Sequence, residues 1–122
     1  AKRFGDRILR GSGLPLGAPL SVLDFGCGPG YLYDHVRATA PGWTYTGADF
    51  SPDSARQLRG RAGADPRFGG AHHLTALPVP MADAALDAAF LVEVVEHVGD
   101  GYLIPTLREM HRLLKPGGHL VV

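Results

Sequence analysis

The chain has 122 residues, 45% of them apolar, and its 12 basic and 12 acidic side chains give a formal net charge of zero. That is room for one domain with a real hydrophobic core. It shows neither the basic excess that argues for nucleic acid nor an acidic solvating tail, although a neutral total can hide a basic patch. No apolar run approaches the ~20 residues of a membrane span and no signal-peptide pattern is visible, so a cytoplasmic protein is expected. The single Cys27 has no internal disulfide partner, which suits a reducing compartment.

Residues 2–10 read as a short helix with Phe4 and Ile8 one turn apart, and the Gly/Pro-rich stretch Gly11 to Pro19 reads as a connector. Leu20–Phe25 is the first predicted strand. A glycine-rich turn follows, and then Leu32, Val36 and Ala40 recur at helical spacing until Pro41-Gly42 stops them. Trp43–Asp49 reads as the second strand. Ser51-Pro52 opens a helix whose buried stripe is Ala55, Leu58 and Ala62. A weaker pattern at Gly69–Leu74 predicts a third strand, and Leu77–Ala85 a loop. Leu86–Val92 is a nearly continuous apolar run, as in a parallel strand buried on both faces. Leu103, Leu107, Met110 and Leu114 make a helical stripe, and Lys115-Pro116-Gly117-Gly118 turns it into a last strand at His119–Val122. Alternation of this kind predicts an α/β domain with a mostly parallel sheet, helices on both faces and right-handed crossovers.

The functional signal is concentrated in residues 22–32. An apolar strand ends in Asp24-Phe25, and three glycines alternate after it: Gly26, Gly28 and Gly30. Glycine lets a ligand approach the main chain, and a helix N-terminus offers free N–H groups. The dinucleotide fingerprint G-x-G-x-x-G needs a glycine where Tyr31 stands. A pyrophosphate would be repelled by Asp24, whereas an ammonium or sulfonium would be attracted. The turn therefore suits a cationic adenosine compound better than a dinucleotide, and a dinucleotide-dependent oxidoreductase is disfavoured. Cys27 reads as a small side chain filling the turn, with a reactive thiol as the sharper alternative. Asp49, about 20 residues further on at a strand end, can accept both ribose hydroxyls. Its blander reading is an acid that caps the following helix.

Four blocks in order, Val22–Gly30, Tyr45–Ser51, Leu77–Pro78 with Leu86–Val98, and Leu113–Val122, resemble the class I S-adenosylmethionine-dependent methyltransferases. The nearest likeness is to the small-molecule group that includes the ubiquinone-biosynthesis O-methyltransferases. The resemblance implies a Rossmann-like domain over residues 20–122, preceded by an N-terminal helix and connector over residues 1–19. It implies that Asp24 and the backbone of Gly26, Cys27, Gly28 and Gly30 hold the methionine end of S-adenosylmethionine, and that Asp49 binds its ribose. Phe50 would lie against the adenine. The family often has an acid at the end of the third strand, where this chain has His73, which leaves adenine recognition to main chain, to Leu74 packing or to the imidazole. Two further strands usually follow the fifth, so the expectation is a fold truncated there, with a fifth-strand edge open to a second copy or to a missing C-terminal segment.

Glu93, Glu96 and His97 follow the fourth strand, and i, i+3 and i+4 share one helical face. Three roles stay open for them. His97 or Glu96 can act as a general base. The Glu-x-x-Glu-His pattern resembles the divalent-metal site of the small-RNA 2′-O-methyltransferases, but Val98 directly follows His97 and a further histidine ligand is not at hand. The third role is structural, with Glu93 lining the methionine pocket. No CxxC or HExxH pattern supports zinc. The expectations are thus methyl transfer to an unidentified small-molecule acceptor, a non-catalytic cofactor-binding or scaffold module, or metal-assisted RNA 2′-O-methylation.

Overall fold

The computed structural model describes residues 2–92 and 100–122. Its elements are α1 (Lys2–Gly11), β1 (Ser21–Phe25), α2 (Tyr31–Thr39), β2 (Thr44–Asp49), α3 (Pro52–Ala62), β3 (Phe68–His73), β4 (Leu86–Phe90), α4 (Asp100–Leu113) and β5 (Leu114–Val121). The strands form one sheet in the order β3-β2-β1-β4-β5, and each neighbouring pair is parallel. The chain winds outward from β1 through β2 to β3, then returns across β1 to place β4 on its other side. That reversal puts a crevice at the carboxyl ends of β1 and β4, the place where open α/β sheets receive ligands.

Strand alternation sorts the side chains into two layers. Val22 and Tyr45 join Leu9 of α1, Val36 of α2 and Leu58 of α3 in one core. Leu23 and Phe25 point the other way and meet Met110 and Leu113 of α4. The α3 stripe of Ala55, Leu58 and Ala62 is buried as its spacing predicts, and Ser51 caps the helix by accepting from Ser54 N at 3.2 Å.

Two elements depart from the sequence reading. In α4 the deepest positions are Thr106, Glu109, Met110 and Leu113, while Leu103, Leu107 and Leu114 are only partly covered. The buried face is rotated because Glu109 has partners: Arg112 Nε and Nη2 donate to its two carboxylate oxygens at 2.7 and 2.8 Å, and Val79 N donates at 2.6 Å. Arg112 also donates to the carbonyls of Val79 and Met81, so α4 grips the loop between β3 and β4. In β5, pairing begins at Leu114 rather than His119. The register jumps from Leu86↔Leu114 to Ala88↔His119, and residues 115–118 form the irregularity. Among the described residues no helix is long and apolar enough to cross a membrane.

Candidate functional site

The glycine turn leaves β1 at its carboxyl end and enters α2. Gly26, Gly28 and Gly30 all have positive φ, at 81°, 54° and 107°, a conformation that a side chain resists. Gly30 is also crowded: a Cβ there would stand 2.6 Å from Arg61 Nη1 and 2.8 Å from Leu58 Cδ1. The turn is fastened from two sides. Gly26 N and Cys27 N donate to Ala48 O at 2.7 and 3.1 Å, which ties it to β2. Arg61 of α3 donates to Pro29 O and pairs with Asp34 of α2.

Asp49 completes the fastening. Its Oδ2 accepts from Gly28 N at 2.8 Å and its Oδ1 accepts from Ser51 N at 2.8 Å. The α3 cap itself is Ser51, so Asp49 acts on the turn rather than as the capping side chain. Each carboxylate oxygen has further lone-pair capacity for a ligand hydroxyl. Phe50, next in sequence, is 42% exposed, with Phe25 edge-on at 6.2 Å and Tyr102 edge-on at 6.1 Å.

Asp24 is 5% exposed. Burial pushes its carboxyl up to about 6; a hydrogen bond from Tyr45 opposes that rise and the charge of Asp49 adds to it. A buried carboxylate with so little compensation would be stabilised by a cation placed beside it. Cys27 is a filler of the turn. Its side chain belongs to the first core, and a Cβ on Gly47 would meet its Sγ at 2.9 Å. Burial, with the nearby Asp24 and Asp49 charges, pushes the thiol well above its ordinary range, so the reactive-thiol reading does not fit this environment.

The sequence-predicted residues of β1 and β2 thus come together: Asp24, the three turn glycines, Cys27 and Asp49 lie side by side at the carboxyl ends of β1 and β2. His73 lies at the same end of the sheet, in register with Asp49, and is exposed. Leu74 donates its N–H to Asp49 O at 2.8 Å, but its side chain is built into the second core. Glu93, Glu96 and His97 lie outside the described residues. Among the described residues no group of three or more His, Cys, Asp or Glu side chains gathers as a metal site. Two residues that touch this machinery carried no sequence signal, Tyr45 and Arg61. The first looks like a core aromatic and the second like a solvated helix cation.

The methyltransferase-domain family matches residues 23–120. The demethylmenaquinone methyltransferase of Thermus thermophilus is 36% identical over 108 residues, which is 86% of this chain and 47% of that protein. The ubiquinone biosynthesis O-methyltransferase of Ruegeria pomeroyi is 36% identical over 104 residues, covering 83% of this chain and 39% of that protein. A solved phosphoethanolamine-type N-methyltransferase of Haemonchus contortus, in complex with phosphomonomethylethanolamine and S-adenosylhomocysteine, superposes with a TM-score of 0.83 at 22% identity, over 97% of this chain and 27% of that one. The chain therefore spans less than half the length of these relatives.

Proposed function

The chain belongs to the class I S-adenosylmethionine-dependent methyltransferases, and from that premise we propose that it binds S-adenosylmethionine at the β1 turn and serves methyl transfer to a small-molecule acceptor. One observation carries the reading. A buried, under-compensated Asp24 and a ribose-competent Asp49 flank a positive-φ glycine turn, and a 2.8 Å bond from Gly28 N ties that turn to Asp49. The residues fit the cofactor's chemistry: an anion for its cationic amino acid end, a side-chain-free cradle, a carboxylate for vicinal hydroxyls and an exposed Phe50 ring for a flat base.

Bound S-adenosylmethionine supplies a methyl group already made electrophilic by its sulfonium. The chain's own task is then alignment and exclusion of water. In this proposal Asp24 and the main chain of Gly26, Cys27, Gly28 and Gly30 fix one end, Asp49 the middle, and Phe50 with His73 the other end, while Leu74 supports Asp49 from the core. Glu93 lines the methionine side. His97 or Glu96 takes the proton of an acceptor that arrives protonated. The quinone-precursor methyltransferases among the relatives support a small organic acceptor. A cytoplasmic setting is part of the proposal, supported by the lone, buried Cys27.

Titration calorimetry with S-adenosylhomocysteine tests the cofactor reading, and folded protein that takes up none would sink it. Asp49→Ala is expected to weaken binding by about 1.5–3 kcal/mol, the worth of a hydrogen bond to a charged group. Glu96→Gln and His97→Ala are expected to slow turnover of labelled cofactor while leaving that affinity in place. A wild-type chain that binds the cofactor but never turns it over, across a panel of acceptors, would instead mark a binding module.

A further inference from the structure

Tyr45 lies in β2 beside Val22 of β1, and its phenol O–H donates to Asp24 Oδ2 at 2.5 Å. The ring is fully buried, with Tyr33 edge-on at 5.2 Å and Phe68 stacked at 6.5 Å. Packed in this way it cannot swing aside, so the hydroxyl has one place to be. Burial and the Asp24 charge hold the phenol proton well above its ordinary range, which keeps Tyr45 a donor. A neutral donor on a carboxylate favours the charged form and fixes the direction of the second oxygen.

We propose that Tyr45 is a positioning residue for the cofactor: it holds the Asp24 carboxylate in one orientation and in its anionic form, so that the other oxygen meets the ligand's cationic amino end. This rests on the reading that Asp24 receives that end. Among the described residues, the other titratable groups around the pair are Asp49 at the end of β2, Cys27 in the turn, and Tyr33 and Asp34 of α2. Phe90 of β4, in register with Asp24, brings no charge, and Arg61 of α3 is turned toward Pro29 and Asp34. Tyr45 is therefore the donor that opposes the burial of Asp24, and cofactor affinity should carry its signature as an acid limb.

The test is S-adenosylhomocysteine affinity from pH 5 to 8 for wild type, Tyr45→Phe and Asp24→Asn. Wild-type affinity is expected to fall about tenfold per pH unit once Asp24 is mostly protonated. In Tyr45→Phe, which keeps the ring packing, that limb should move up by about one pH unit or more. Asp24→Asn should bind weakly with no acid limb in this range. A Tyr45→Phe limb at the wild-type position overturns the positioning role and leaves the cofactor reading standing; wild type that binds nothing overturns both. If Tyr45→Phe does not fold, carbon-labelled wild type decides. A Tyr45 Cζ signal that titrates with the same midpoint as the Asp24 carboxyl supports the proposal, and one that stays flat while Asp24 titrates overturns it.

Discussion

Two carboxylates in this fold expose little surface, Asp24 5% and Glu109 7%, yet they are pushed in opposite directions, Asp24 deep in the domain and Glu109 closer to its surface. Glu109 receives an arginine fork and a backbone N–H, and the Arg112 hydrogen bonds, helped by Val79 N, hold it below the usual carboxylate range. Asp24 receives one phenol, and burial carries it up to about 6. The first acid is completed by its own chain and locks α4 to the 79–81 segment. The second is left short of a countercharge near the carboxyl end of β1. A buried acid that its own fold leaves short of partners is a candidate for ligand binding, whereas one the fold completes is not.

The comparison breaks most visibly if Arg112 is removed. Arg112→Met strands Glu109 as a buried, unpaired charge and is expected to cost about 3 kcal/mol of unfolding free energy by urea titration at pH 7. A loss below about 1 kcal/mol would mean that Glu109 is not held as described. The counterpart change goes the other way. Asp24→Asn keeps an oxygen for Tyr45 and removes the poorly matched charge, so it should raise stability at pH 7 by roughly 1–3 kcal/mol while weakening cofactor binding. A destabilised Asp24→Asn would argue that this carboxylate serves the fold.

The two acids also leave opposite marks on stability against pH. Asp24 has a folded pKa above its unfolded value near 3.8, so the folded chain binds the extra proton between about pH 4 and 6. Its contribution is most favourable below that window and is lost as pH rises through it. Glu109 has a lowered folded pKa, so its contribution is present above its unfolded value near 4.5 and is lost as pH falls through the folded one. Melting wild type against Asp24→Asn from pH 4 to 7 should show the two curves diverging as pH rises; parallel curves would contradict the Asp24 assignment. The smallest effect serves as the reference. Asp53→Ala breaks an exposed pair with Arg56 and an exposed hydrogen bond from Gln57, and should move stability by less than about 1 kcal/mol.

Much of the fold is legible in the sequence. The apolar runs of β1, β2 and β4 and the α3 stripe are set by burial with a fixed period, and a period can be read along one chain. The proposed site residues Asp24, Gly28 and Asp49 stand out in the sequence because strand ends and glycine spacing are also local features. Glu109 does not, since its loop partner Val79 stands 30 residues away. A helix acid beside an arginine three residues on looks like any solvated surface pair. Tyr45 was hidden for the same reason. Its ring fits a strand core, and only the β1–β2 register reveals that its hydroxyl falls on Asp24.

The bond from Gly28 N to Asp49 has a kinetic consequence. The turn's backbone is held by Asp49 and Ala48 from β2 and by Arg61 from α3. Ordering of that loop is therefore a step in the folding of the chain, not a step in the arrival of a ligand. Encounter should then proceed in a single phase, with an observed rate that climbs linearly with ligand concentration and shows no plateau from a loop that must first assemble.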